Sequence, residues 1–97
     1  IDAAEAYRIG LANRLTEPEE VVTEARRLVE TIARNGPAAV AAAIEAVTRG
    51  MEMSADDALA QEAHLFALLA STADMREGMT AFLEKRPPSF TGRPDAR

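Results

Sequence analysis

Alanine dominates this chain, and that feature most limits the folds open to it. Of the 97 residues 21 are Ala, and Leu, Glu and Arg are also frequent. These residues favour helix, whereas the β-branched and aromatic residues that favour strands are too scattered for a sheet. Because an alanine methyl buries little apolar area, the hydrophobic fraction of 47% overstates the core that the chain can build alone. We expect one small all-α unit with a thin core.

Capping and breaking residues divide the chain into five predicted helices. Side chains that accept backbone N–H bonds precede the helices, and Gly or Pro follows them. The predicted caps are Asp2, Thr16, Ser54 and Thr72, and the predicted stops are Gly10, Asn35-Gly36-Pro37, Gly50 and Pro87-Pro88. The predicted helices cover approximately residues 2–8, 16–35, 37–50, 54–71 and 72–86.

Three of these helices carry apolar residues at intervals of three and four, so each presents one face for burial. In the third helix Val40, Ala43, Ile44 and Val47 form such a stripe among further alanines. Small residues let a helix approach a neighbour closely, and we therefore expect this helix to be the most buried. The other two stripes are Val21, Ala25, Leu28 and Ile32, and Leu59, Ala63, Phe66 and Ala70.

Several protein classes are disfavoured by composition. The chain has no Cys, and no apolar run approaches the roughly 20 residues of a membrane span. A net charge of −5 disfavours nucleic acid and anionic membranes as partners. No signal peptide is visible, so we expect a cytoplasmic protein. The chain opens with Ile1-Asp2 and not with Met, which suggests that an upstream part was removed.

No catalytic constellation is visible in the sequence. Adjacent carboxylates such as Glu19-Glu20 and Asp56-Asp57 are better interpreted as a solvated face than as an acid/base pair. His64 is the lone histidine, and it has neither a nucleophile nor a ligand set beside it. We predict no catalytic residue, no metal site and no cofactor, since metal-ligand spacing and phosphate-binding glycine loops are missing.

Only the end of the chain favours an anion. Phe82 and Lys85, the one lysine, are three residues apart near the end of the last helix. An aromatic face there could stack on a base while the ammonium reaches a phosphate. The alternative is that Phe82 packs and Lys85 and Arg86 only offset the helix dipole, and on physics alone the two are even. Residues 76–97 carry the bases Arg76, Lys85, Arg86, Arg93 and Arg97 against the acids Glu77, Glu84 and Asp95.

The same region resembles a known family. EGMTAFLEKRPPSFTG, residues 77–92, is similar to the C-terminal signature of the enoyl-CoA hydratase/isomerase (crotonase) family. IDAAEAYRIGLANRL at residues 1–15 and NGPAAVAAAIEAV at residues 35–47 resemble two earlier segments of that family, in the right order. Ala12, Ile44 and Thr48 depart from its usual residues. Further matching positions are Glu62, Phe66, Thr72 and Asp74, at the spacing Glu-x3-Phe-x5-Thr-x-Asp.

The resemblance implies a fold and a division of labour. In this ClpP/crotonase-like fold an N-terminal domain of ββα repeats, absent here, supplies the oxyanion-hole amides and the catalytic glutamates. The chain then corresponds to the C-terminal helices, with residues 1–15 as the link, 16–86 as a trimerisation and CoA-closing domain, and 87–97 as a tail. Phe82 and Lys85 match positions near the adenine and phosphates of CoA, commonly in a neighbouring subunit.

The leading hypothesis is therefore the assembly and CoA-binding part of an enoyl-CoA hydratase-like lyase or isomerase of fatty-acid or related acyl-CoA metabolism. A coenzyme A thioester would be the substrate of that enzyme, and this chain would be inactive alone. The partners implied are acyl-CoA and further copies of the protein, as a trimer or hexamer. Two alternatives stay open, an independent helical interaction module and a small acyl-CoA carrier.

Overall fold

The computed structural model describes residues 1–92, so Arg93, Asp95 and Arg97 lie outside the described residues. Within this range the chain is helical and has no β-strand, which confirms the predicted all-α class. The helices are α1 (Ala3–Arg8), α2 (Val21–Ala33), α3 (Pro37–Gly50), α4 (Ala55–Leu69) and α5 (Ala73–Glu84), with a 3₁₀ turn at Pro18–Glu20 before α2. None of these helices is long and apolar enough to cross a membrane.

Three of the four predicted caps are confirmed. The Asp2 carboxylate accepts the Glu5 backbone N–H at 2.8 Å at the start of α1. Ser54 and Thr72 accept N–H groups at 3.2 Å at the start of α4 and α5. Each of these side chains satisfies one of the backbone donors that the first turn of a helix leaves unpaired.

The predicted cap at Thr16 is wrong. Glu17 occupies the position before the 3₁₀ turn, with an extended backbone (ψ 151°) and no side-chain cap. Proline disfavours helical geometry in the residue that precedes it, so Pro18 forces Glu17 to be the boundary residue. Thr16 therefore lies one residue too early, and the α-helix itself begins only at Val21.

Contacts along the chain divide it into two units, Ile1–Thr31 and Ile32–Arg97. In the second unit α3 and α4 pack against each other. Their approach is close near the turn that joins them, since a Cβ added to Gly50 would lie 3.4 Å from the Cβ of Ala58. The functional division that we predicted at residues 15/16 and 86/87 stays a prediction.

The core is thin, as the alanine content indicated. Among residues 1–92 the buried positions are Gly36, Asp74 and Ala81, and no residue of the first unit is buried. The expectation that α3 is the most buried helix is wrong, because Ile44 and Val47 are 60% and 66% exposed. The stripe is present, but the described residues provide α4 and little else to cover it.

Candidate functional site

The C-terminal end of α5 has an unusual backbone at Lys85. This residue has φ 53° and ψ 41°, and it is the only non-glycine residue among residues 1–92 with a positive φ. The Arg86 N–H then donates to the Ala81 carbonyl at 3.0 Å, which closes the helix end. The position after a helix usually holds glycine, because a Cβ makes left-handed geometry costly. The helix thus ends at Glu84, before the prolines that we expected to stop it.

Phe82 and Lys85, the predicted CoA-contacting residues, both lie at this helix end. Phe82 is in the last turn of α5 and is 83% exposed. Lys85 is exposed, and no carboxylate of residues 1–92 is within ion-pair distance of its ammonium. Because the backbone at Lys85 is left-handed, the relative direction of the two side chains does not follow from helical spacing. Their role in CoA binding stays a prediction.

After Lys85 the chain turns back along α5, and we call residues 86–92 the return segment. Arg86 holds its start through a two-point ion pair with Glu77, with Nη1–Oε1 at 2.6 Å and Nη2–Oε2 at 2.9 Å. The Arg86 Nε also donates to the Glu84 carboxylate at 2.6 Å. Paired hydrogen bonds between a guanidinium and a carboxylate fix direction as well as distance.

Two carboxylates on α5 bind the backbone of the return segment. Glu77 accepts the Ser89 N–H at 2.8 Å. Asp74, only 7% exposed, accepts the Thr91 N–H at 2.7 Å and the Gly92 N–H at 2.9 Å. A buried carboxylate needs such donors, because leaving it unpaired away from water is costly.

Phe90 lies over Gly78, and its ring adjoins an apolar groove in the second unit. A Cβ added to Gly78 would be 3.4 Å from the Phe90 ring, an ordinary contact distance, so only a larger side chain at residue 78 would displace the ring. The groove has a volume of about 710 Å³ and runs along the length of α5, from Asp74 to Leu83. Its larger apolar lining residues are Phe66, Leu69, Met75, Met79, Phe82, Leu83 and Phe90.

The Glu77–Arg86 ion pair stabilises the charged form of both side chains. Hydrogen bonds from the Arg86 guanidinium, and then from the Ser89 backbone, lower the pKa of Glu77 from 4.5 to about 2. The hydrogen bonds to Glu77 and Glu84 raise the pKa of Arg86 above its ordinary value. Both groups are therefore charged throughout the physiological range.

The other candidates from the sequence lie apart from this helix end. His64 is exposed on α4, with Nδ1 2.9 Å from the Ala60 carbonyl oxygen, which is a contact within its own helix. Asp56 and Asp57 are exposed in the first turn of α4. Within residues 1–92 no three His, Asp or Glu side chains are grouped closely enough to hold a metal ion.

Sequence reasoning missed the part that Glu77, Arg86 and the return segment play. Glu77 and Arg86 are nine residues apart, a spacing that predicts no contact along a continuous helix. One available signal was Gly78, because a glycine inside a helix lowers its stability and usually has a packing reason. The contact at this glycine is the ring of Phe90, which lies over it.

Comparison with known proteins gives a consistent result. The enoyl-CoA hydratase/isomerase family matches residues 1–93. The crotonyl-CoA hydratase of Syntrophomonas wolfei is 43% identical over 90 residues, which are 93% of this chain and 35% of that protein. The 2,3-dehydroadipyl-CoA hydratase of Escherichia coli is 40% identical over 93 residues, 96% of this chain and 36% of that protein.

A solved structure agrees with these sequence matches. The crystal structure of the enoyl-CoA hydratase of Bacillus anthracis is 34% identical and superimposes with a TM-score of 0.90, over 96% of this chain and 36% of that one. The chain thus spans about a third of the length of these relatives. Its helices are a helical segment of the crotonase fold, and the chain belongs to the enoyl-CoA hydratase/isomerase family.

Proposed function

We propose that this chain is the CoA-binding and subunit-assembly part of an enoyl-CoA hydratase-like enzyme that acts on acyl-CoA thioesters. One observation carries the proposal: the end of α5 presents an exposed aromatic ring, Phe82, and within four residues the ammonium of Lys85, which has no carboxylate partner among residues 1–92. An adenine ring stacks on an aromatic face, and an ammonium binds phosphate as a point charge.

An anion can bind at the C-terminal end of α5 only if a cation such as Lys85 is present. The C-terminus of a helix carries partial negative charge, which repels phosphate unless a cation is nearby. Arg86 is engaged by Glu77 and Glu84, so Lys85 is the cation at this end of α5 that has no carboxylate partner among residues 1–92. We infer that Lys85 receives the phosphate groups of CoA.

Exposed apolar faces support the assembly role. Ile44, Val47 and Leu59 are each at least 60% exposed although they form helical stripes. Apolar patches of this kind mark surfaces that another domain or subunit covers. We infer that these stripes pack against further parts of the enzyme or against other copies of it.

The hydration chemistry itself we assign to groups outside residues 1–92. Two of the relatives described above are a crotonyl-CoA hydratase and a 2,3-dehydroadipyl-CoA hydratase. Water addition needs an acid/base group held beside the substrate in a pocket. Glu19 and Glu20 are exposed in the 3₁₀ turn before α2, and Asp56 and Asp57 are exposed in the first turn of α4, so neither acidic pair is enclosed in such a pocket.

The test is hydration of crotonyl-CoA, followed by loss of the enoyl absorbance. We expect no turnover by the 97-residue chain and turnover by a chimera in which it replaces the matching third of the Syntrophomonas wolfei enzyme. In the chimera Lys85→Ala should raise KM about tenfold, the loss expected of one charged contact, with kcat nearly unchanged. Arg49→Ala removes another exposed cation, which lies on α3 and pairs with Glu45, and should leave KM unaltered.

Two results would contradict the proposal. Turnover by the purified 97-residue chain would mean that it contains its own catalytic centre. An unaltered KM in Lys85→Ala would remove Lys85 from the CoA site.

The apolar groove favours one alternative, a small acyl-CoA carrier. Its lining by Phe66, Phe82 and Phe90 supplies the aromatic pocket that such a carrier needs. If the protein is a carrier, the 97-residue chain alone should bind a long-chain acyl-CoA much more tightly than free CoA. Equal affinity for the two ligands would exclude the carrier and leave the CoA-binding role.

A further inference from the structure

The Glu77–Arg86 ion pair adjoins Lys85 along the chain, and its geometry suggests a role beyond holding the return segment. We propose that Glu77 and Arg86, with the Ser89 N–H, form a clamp that positions Lys85 for CoA. The clamp keeps Lys85 left-handed and keeps its ammonium free of the carboxylates of residues 1–92. This inference rests on the proposed function, and the test below separates the two.

The first step is the backbone of Lys85. Lysine rarely adopts φ near 53° because its Cβ crowds the backbone, and only surrounding structure holds a residue there. Isolated outliers of this kind concentrate at functional sites. Lys85 therefore needs contacts that hold the residues before and after it in place.

The clamp supplies these contacts on the C-terminal side of Lys85. Before Lys85 the chain is helical, and after it Arg86 is fixed at its backbone by the Ala81 carbonyl at 3.0 Å. The Arg86 side chain is fixed by two bonds to Glu77, and Glu77 also accepts the Ser89 N–H at 2.8 Å. With both neighbours held, the dihedral angles of Lys85 are determined.

The second step is charge. Glu77 and Glu84 are the carboxylates on the last two turns of α5, and either could neutralise a nearby ammonium. Arg86 binds both of them, at 2.6 Å each. The guanidinium is preferred for this role because it matches a carboxylate at two points. Lys85 is left available to an anion of the substrate.

Glu77→Gln distinguishes positioning from simple electrostatics, because the two predict opposite signs. Removing a negative charge near the site strengthens anion binding if charge alone matters. If the clamp positions Lys85, the same substitution loosens the return segment and weakens binding. Glu52→Gln, which removes an equivalent charge from the exposed loop between α3 and α4, is the matched control.

The experiment is NMR of the 97-residue chain titrated with coenzyme A. The amide signals of Phe82 and Lys85 report binding, and the HN–Hα NOE within Lys85 reports its φ, because the two protons are closest when φ is positive. For Glu77→Gln we expect the apparent Kd to rise at least about threefold and this NOE to weaken. For Glu52→Gln we expect neither change.

A double-variant cycle tests whether Glu77 acts through Lys85. Lys85→Gly keeps left-handed geometry available but removes the ammonium, so it should weaken CoA binding while the helix end stays intact. In the Lys85→Gly background Glu77→Gln should add less than about a twofold further change, because its effect passes through the missing side chain.

The outcomes separate the two proposals. If Lys85→Gly weakens binding but Glu77→Gln tightens it or leaves it unchanged, the clamp is wrong and the CoA-binding role stands. If Lys85→Gly has no effect, or if the unchanged chain shows no response to coenzyme A, the CoA-binding role fails and the clamp fails with it.

Discussion

Asp74 and Asp56 occupy the same position in their helices but differ in environment. Each is the second residue of its helix, after Ala73 or Ala55, and each follows a hydroxyl cap. Asp74 is buried and accepts two backbone N–H groups from the return segment, whereas Asp56 is exposed. Comparing substitutions at these two residues therefore separates the contribution of these hydrogen bonds to stability from that of the helix dipole.

Asp74→Asn should lower the free energy of unfolding by about 1–3 kcal/mol. The amide of asparagine has one oxygen acceptor, whereas the N–H groups of Thr91 and Gly92 each need one. Asp56→Asn should cost less than about 1 kcal/mol, since it loses only a favourable dipole interaction. Urea denaturation of the two variants and the unchanged chain measures both values. Equal losses would mean that the bonds to Thr91 and Gly92 contribute nothing.

The lowered pKa of Glu77 predicts a pH dependence. Since the folded pKa, about 2, is below the ordinary 4.5, the unfolded chain takes up the proton first as the pH falls. The contribution of Glu77 to stability is thus complete above about pH 4.5 and is lost as the pH falls toward 2.

Urea midpoints of the unchanged chain and of Glu77→Gln, measured between pH 6 and pH 2, test this prediction. Other carboxylates titrate in both proteins, so the difference between them isolates Glu77. The unchanged chain should be more stable at pH 6, and the difference should shrink toward zero near pH 2. A difference that is constant over this range would contradict the ion pair.

Single residues were predicted well where their effect is local. Asp2, Ser54 and Thr72 cap helices because the acceptor lies three residues before its donor in sequence. The left-handed Lys85 could not be predicted, because glycine is the usual residue with this backbone and the contact beside it joins Arg86 to Glu77, nine residues away in sequence. Phe82 and Lys85 came from family resemblance together with their charge and aromatic character.

At the level of elements, α5 and the return segment pack through a glycine. Gly78→Ala adds a Cβ at an ordinary contact distance of 3.4 Å from the Phe90 ring. It also removes the helix penalty of glycine, so it should raise stability by up to about 1 kcal/mol.

Gly78→Leu should do the opposite, because its larger side chain displaces Phe90, at a cost of about 1–3 kcal/mol. Thermal unfolding followed by circular dichroism measures both substitutions. If leucine stabilised the chain as much as alanine does, the Phe90 ring would not lie over residue 78.

Helices were easier to predict than the segments between them. The bounds of α3 agree with prediction because Gly36-Pro37 and Gly50 are local signals. The start of α2 differs because Pro18 imposes a 3₁₀ turn first. The return segment follows no periodic pattern, since Glu77 and Asp74 fix it through its backbone N–H groups, which every residue except proline has.

For the molecule as a whole, large apolar residues are exposed on all five helices, with Ile44 and Leu59 as examples. The sequence predicted the thin core, but it could not predict which apolar faces stay uncovered, because that depends on packing between helices and not on local signals.

We therefore expect the 97-residue chain to associate with itself as its concentration rises, measured by sedimentation velocity. Ile44→Gln should weaken this association while changing the stability of the monomer by less than about 0.5 kcal/mol, since the side chain is already 60% exposed. Arg49→Gln, on the other side of α3, should not change association. A monomer at all concentrations would argue against assembly through these faces.

The left-handed Lys85 has a consequence for directed evolution of this protein. A library sorted only for survival after heating should enrich glycine at position 85, because glycine adopts this backbone without cost. A library sorted for binding of coenzyme A should retain lysine if Lys85 makes the contact that we propose. Sequencing the two pools at this codon compares the two selection pressures, and a variant obtained by heat alone would then bind coenzyme A poorly.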